Sequence, residues 1–261
     1  FFAGQKPYEQ VAFQFSHHIY HKDGTIEHAS EFISTEPGVY PNFLFARALM
    51  EALSKNNGSV FKFASHENTI VNAIIEQLIQ SNEADKDELI VFLKSISHSK
   101  KNITQETWKG ERDMIDLCKV IKHFYYNPLT NGSNSIKKVL PAVFETSTFI
   151  REKYSKPIGQ INLGSKNFQK SKIWLEEIDN KIQDPYLSLP KIFNEHTPDF
   201  ELISEMEELA DGGAALTAFG KLQYTDMSIE ERKAITNSLL RYCELDTLAM
   251  VMIYEHLREI I

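Results

Sequence analysis

Cysteine is scarce in this chain. Cys118 and Cys243 are its two cysteines, far apart in a sequence of 261 residues. Neither a disulfide framework nor a cysteine zinc spacing can be built from them, a usage that fits a reducing cytoplasm. Long apolar runs are missing as well. No stretch approaches the ~20 residues needed to cross a bilayer, so no membrane partner is expected. The start carries no basic region followed by an apolar core, and no signal peptide is read there. Positive charge is in deficit, with 28 Lys and Arg against 36 Asp and Glu and a net charge of −8. That excludes a broad basic footprint for nucleic acid. It leaves room for a nuclease whose small basic groove and bound metal offset a negative whole. There is no Gly-x-Ser-x-Gly elbow, no His-Glu-x-x-His helix and no P-loop glycine spacing, which argues against the hydrolases, zinc peptidases and NTPases that carry them. Internal repeats and low-complexity blocks are also absent.

The remaining composition is that of a globular protein, 42% hydrophobic and 25% charged, long enough to bury a core without staples. Phe1-Phe2-Ala3-Gly4 has no initiator methionine and reads as the start of a fragment. Residues 11–20 are rich in β-formers, Lys22-Asp23-Gly24-Thr25 supplies turn chemistry, and residues 26–33 read as the returning strand of a hairpin. An amphipathic helix is expected over 41–53, with Pro41 in its first turn. A short strand follows at 60–64, then helices over 70–79 and 88–96. Ser135 is positioned to cap a helix over 136–143. Residues 147–210, punctuated by Pro157, Pro185, Pro190 and Pro198, read as an extended insertion with short helices. Helices are expected again over 214–222 and, as the clearest element, from Ser228 to about Ile260, as one helix or two joined by a kink. Ser228 and Glu231 there have the spacing of a capping box. Strands first, then strands alternating with helices, argue for an α/β or mixed layer fold.

Several residues are placed to carry chemistry. Tyr242 and Asp246 stand four apart in the last helix and share a face, so a phenol and a carboxylate point into one place. That pairing suits two-metal phosphodiester chemistry, and it also occurs on ordinary solvated helices. Glu67 follows a strand and opens a helix, as a metal ligand or as a helix-dipole partner; His66 beside it is expected to pack. Asp116 lies between apolar neighbours and is a third candidate ligand, or an edge residue facing water. Ser133, Ser135, Lys137 and Lys138 lie in a turn of small residues opening a helix, a plausible contact for a nucleic-acid backbone. His17, His18 and His21 fit no metal spacing on a strand and are expected at the hairpin surface. Phe124-Tyr125-Tyr126 reads first as core and second as a base-stacking platform.

Tyr242-x-x-x-Asp246 resembles the third motif of the DEDD 3′–5′ exonucleases, in the branch with tyrosine. More closely, the chain resembles an uncharacterised bacterial domain family of the ribonuclease H-like clan. The resembling segments are Pro7-Tyr8-Glu9-Gln10 with Phe13-Gln14-Phe15-Ser16, His66-Glu67-Asn68-Thr69, residues 132–141, residues 211–215 and residues 242–247. The resemblance implies a single domain over 1–261 with a ribonuclease H-like mixed sheet flanked by helices and an insertion at about 147–210. It also implies two Mg²⁺ or Mn²⁺ ions and a single-stranded DNA or RNA end as substrate. Asp246 would be the last acidic ligand, Tyr242 the water-orienting phenol, and Glu67 would replace the second-motif aspartate. No Asp-x-Glu first motif is found; in the resembling family it lies just upstream of the Pro-Tyr-Glu-Gln segment. The first strand and two of the four ligands are therefore expected to be missing here, with weak metal binding and little nuclease activity. The alternative is a catalytically inactive nucleic-acid-binding or scaffold module of the same fold.

Overall fold

A computed structural model describes residues 2, 9–101, 103, 106–179, 181–190 and 212–261. In chain order the elements are β1 (Gln14–Tyr20), β2 (Ile26–Ile33), α1 (Asn42–Leu53), β3 (Phe61–Lys62), α2 (His66–Gln80), α3 (Lys86–Ser95), β4 (Ile115–Asp116) and α4 (Leu117–Phe124). They continue with α5 (Ile136–Thr146), α6 (Thr148–Tyr154), β5 (Glu177–Ile178), β6 (Lys181–Ile182), α7 (Gly212–Tyr224) and α8 (Ile229–Glu259). The architecture is mixed α/β. Among the described residues the strands form three separate two-stranded sheets, β1–β2, β3–β4 and β5–β6, where one mixed sheet was expected. Pro7, Tyr8, Pro198 and Asp211, named in the sequence readings, lie outside the described residues.

Contacts gather the chain into two compact units, one of Phe1–Phe15 with Gly38–Tyr126 and one of Ser16–Pro37 with Asn127–Ile261. In the first, α1, α2 and α3 pack on one another. Apolar residues at helical spacing, Ile70, Ile74 and Leu78 on α2 and Leu89 and Leu93 on α3, are buried there. The buried Asn42 amide ties the preceding segment to α1: its Oδ1 accepts from Ala12 N–H at 2.7 Å and its Nδ2 donates to Gln10 carbonyl at 2.8 Å. β3 and β4 pair in parallel, with Phe61 opposite Ile115 and Lys62 opposite Asp116. β4 is short because Asp116 is already the N-cap of α4, accepting from Lys119 N–H.

The second unit is built on α8, with α5, α6 and α7 packed against it and β2 beside it. The hairpin turn is as expected: Gly24 takes φ +85°, and Thr25 N–H donates to Asp23 Oδ1 at 2.9 Å. Ser16, His18 and Tyr20 of β1 face α8. Thr247 Oγ1 donates to Ser16 Oγ at 2.9 Å, His18 Nδ1 meets Thr247 Oγ1 at 2.8 Å, and Tyr20 packs edge-on against Tyr254 at 5.5 Å. Four strand steps advance roughly 13 Å and the seven helix steps from Thr247 to Tyr254 roughly 10–11 Å, so the two elements run side by side. The capping box is present. Ser228 Oγ accepts from Glu231 N–H at 3.2 Å, and Glu231 Oε2 accepts from Ser228 N–H at 2.6 Å. Ser228→Ala is expected to lower stability by ~1 kcal/mol in chemical denaturation, with the fraying confined to the first turn of α8 in amide hydrogen exchange.

Candidate functional site

In the second unit, α8 brings Tyr242 and Asp246 onto one face, as their spacing requires. The Asp246 carboxylate accepts from Tyr186 Oη at 2.8 Å, and the Tyr242 phenol is on the same helix face. Lys137 Nζ stands over both rings, 5.1 Å from the Tyr186 centroid and 5.2 Å from that of Tyr242. Burial pushes the Asp246 carboxyl above its usual range, against the pull of Tyr186, Lys137 and Tyr242. Burial, and then the Asp246 charge, push the Tyr186 phenol up, so it remains a donor. Sequence reasoning missed Tyr186, which comes from the irregular segment 183–190. Tyr186→Phe leaves this carboxylate one donor short and is expected to cost ~1–3 kcal/mol in denaturant unfolding at neutral pH. The deficit should shrink as pH falls, because a protonated carboxyl no longer needs the phenol.

The first unit holds Glu67 and Asp116. Glu67 Oε1 accepts from Phe63 N–H at 3.3 Å, while its Oε2 is sealed from solvent without a partner. Burial raises its carboxyl above the ordinary value despite its own N–H, that of Phe63 and the Lys62 ammonium. Asp116 is buried rather than facing water, and it has three protein donors: Lys119 N–H and Ala64 N–H, each at 3.1 Å, and Lys62 Nζ at 3.3 Å. Lys62 is itself 2% exposed and donates also to Ala64 carbonyl at 2.6 Å. Burial alone would raise the Asp116 carboxyl, but these donors hold it below its usual range. Asp116→Ala strands a buried ammonium and is expected to cost ~3–5 kcal/mol, a loss that Lys62→Met in the same chain should largely restore. Because the folded carboxyl is depressed, its contribution is present above the unfolded value of 3.8 and lost as pH falls through the folded one. Urea titrations at pH 6 and pH 3 check this.

Glu67 and Asp116 thus belong to the first unit, Tyr242 and Asp246 to the second. In the expected backbone-binding turn, Ser135 and Lys138 are exposed and Ser133 is half-buried. Lys137 turns toward Tyr186 and Tyr242. Ser135 occupies the N-cap position of α5 but makes no side-chain cap bond. Phe124 and Tyr126, read first as core, are 86% and 85% exposed, and His66, expected to pack, is exposed.

The histidine reading needs a larger correction. His21 is exposed and His17 bonds Ser30 across the hairpin, but His18 faces inward. Its ring stacks on that of His28 with centroids 4.7 Å apart. His28 is completely buried, with Nδ1 3.1 Å from Glu244 Oε2 and Nε2 3.0 Å from Ser16 Oγ. Glu244 also accepts from Asn167 N–H and Nδ2 at 3.1 and 2.9 Å. The signal for Glu244 was available in the sequence: it stands three residues before Thr247, on the face of α8 next to the hairpin.

Residues 1–135 match DUF2779, a domain of unknown function, and the chain belongs to that family. The match covers Glu67, Asp116 and the hairpin histidines, and ends before Lys137, Tyr242, Glu244 and Asp246. No curated protein and no solved structure matches the chain. Among the described residues, no helix is long and apolar enough to cross a membrane.

Proposed function

We propose that the chain is a metal-dependent 3′–5′ exonuclease domain of ribonuclease H-like type. In this reading it acts in the cytoplasm on single-stranded DNA or RNA ends. The observation that supports it is the Tyr242–Asp246 pair, a phenol and a carboxylate on one helix face. Glu67, with a sealed and unpartnered carboxylate oxygen, fits a cation ligand. Asp246 fits one if it exchanges Tyr186 for the ion, whereas Asp116 is already engaged by three protein donors. Mg²⁺ or Mn²⁺ would neutralise the phosphodiester and the departing oxygen. Within the second unit, Tyr242 would orient the attacking water and Ser133, Ser135 and Lys138 would contact the backbone.

A second reading, a non-catalytic nucleic-acid-binding or scaffold module, is favoured by one feature. The Tyr186 hydroxyl donates to Asp246 and the Lys137 ammonium attracts it, so protein groups already meet its charge. End-labelled single-stranded oligonucleotides incubated with the full-length protein and Mn²⁺ separate the two. Shortening from the 3′ end, slowed at least ~100-fold by Asp246→Asn, is expected. Binding that survives a chelator with no shortening supports the module instead, and undiminished cleavage by the variant removes Asp246 from the mechanism.

A further inference from the structure

We propose that His18, His28 and Glu244 bind one divalent transition ion of the zinc class, clipping the β1–β2 hairpin to α8. One ring nitrogen of each histidine and a carboxylate oxygen of Glu244 all lie within 4.8 Å of one another. The 3.1 Å separation of His28 Nδ1 from Glu244 Oε2 is close to the ~3.3 Å edge of a tetrahedron with metal–ligand bonds of about 2.0–2.1 Å. His18 supplies the third corner. The single hydroxyl proton of Thr247 has acceptors in Ser16 Oγ and the Cys243 and Glu244 carbonyls, which leaves its oxygen able to accept from His18 Nδ1–H in the Nδ1-protonated tautomer. That tautomer leaves His18 Nε2 with a bare lone pair, sealed from solvent and without a partner. An imidazole held by its other nitrogen is the usual condition of a metal-ligating histidine.

The protonation states suit a metal as well. Burial, then His28, lowers His18 to about 3. Burial raises Glu244, but His28, Ser165 and Asn167 bring it below its ordinary range. A neutral imidazole and an ionised carboxylate are what a cation requires. On binding through Nδ1, His28 exchanges the Lys166 N–H for the ion and keeps Ser16 Oγ on Nε2, and the rings rotate out of their stack. Two imidazoles and one carboxylate select zinc, nickel or copper over Mg²⁺, so this site is independent of the exonuclease reading.

The test uses untagged, metal-stripped full-length protein titrated with ZnSO₄ in a calorimeter, with X-ray absorption on the loaded sample. One equivalent of zinc, two imidazole ligands, a raised unfolding temperature and affinity weakened at least ~10-fold by His18→Gln are expected. No zinc uptake, zinc without imidazole ligation, or equal affinity in His18→Gln and Glu244→Gln overturns the proposal. The absorption spectrum of the wild type decides the matter even if a variant fails to fold.

Discussion

Glu244, Asp246 and Glu255 all lie on α8, and the second unit is arranged so that none of these carboxylates is left alone inside it. An ionised carboxylate withdrawn from water is costly unless donors replace its hydration. Glu255 takes Tyr154 Oη at 2.7 Å and Lys153 Nζ at 2.5 Å, both from α6. Asp246 takes Tyr186, with Lys137 of α5 above the Tyr186 and Tyr242 rings. Glu244 takes Asn167 and His28. The segment carrying Asn167 is set beside β2 by main-chain bonds from Ile26 N–H to Asn162 carbonyl and from Gly164 N–H to Ile26 carbonyl, at 2.9 and 2.8 Å. The partners from outside α8 come from α6, the Tyr186 segment, the Asn167 segment and β2, so these acids specify where those pieces lie as well as being satisfied by them.

The first unit solves a similar problem on a smaller scale. A buried lysine and a buried aspartate face each other across the two-residue β3–β4 ladder, and both reach Ala64. Ala64 has φ +70°, a left-handed conformation that costs an alanine ~1–2 kcal/mol. The Asp116 carboxylate on its N–H and the Lys62 ammonium on its carbonyl oppose that strain. The turn they hold leads directly into α2, whose second residue is Glu67. Position 67 is therefore presented by an ion pair rather than by a long strand, and the Glu67 carboxylate reaches back to Phe63 N–H in the same turn.

Local rules predicted the local structure well. The hairpin turn needed Asp23 and Gly24, the start of α8 needed Ser228 and Glu231, and each signal sits within a few residues of what it organises. The i, i+4 face shared by Tyr242 and Asp246 was legible for the same reason. Partners from afar were not. Tyr186 meets Asp246 from an irregular segment, and no periodicity announces which tyrosine will do so. Asp116 is buried because Lys62 is buried opposite it, a pairing that neither residue reveals alone. The inward turn of His18 was overlooked because the spacing of 17, 18 and 21 was weighed without Ser16 and Tyr20, whose alternation marks the face that meets α8. Phe124 and Tyr126 went the other way: composition favours burial of such rings, and only the end of α4 at Phe124 leaves them in solvent.

Helical geometry sets the acids of α8 in two different surroundings. Successive residues turn by about 100°, so Glu244 and Asp246 point roughly 200° apart. Glu244 and Thr247 look toward the hairpin, where nitrogen ligands are available. Tyr242 and Asp246 look toward α5 and the Tyr186 segment, where the donors are phenols and an ammonium. An ion on the hairpin side would hold β1 and β2 to the helix without entering the Asp246 cluster. A hard cation at Asp246 would have to displace Tyr186 without disturbing His28. Two carboxylates separated by a single residue can therefore have separate ligand preferences, one for soft or borderline ions and one for hard ions, because the helix puts its own width between them.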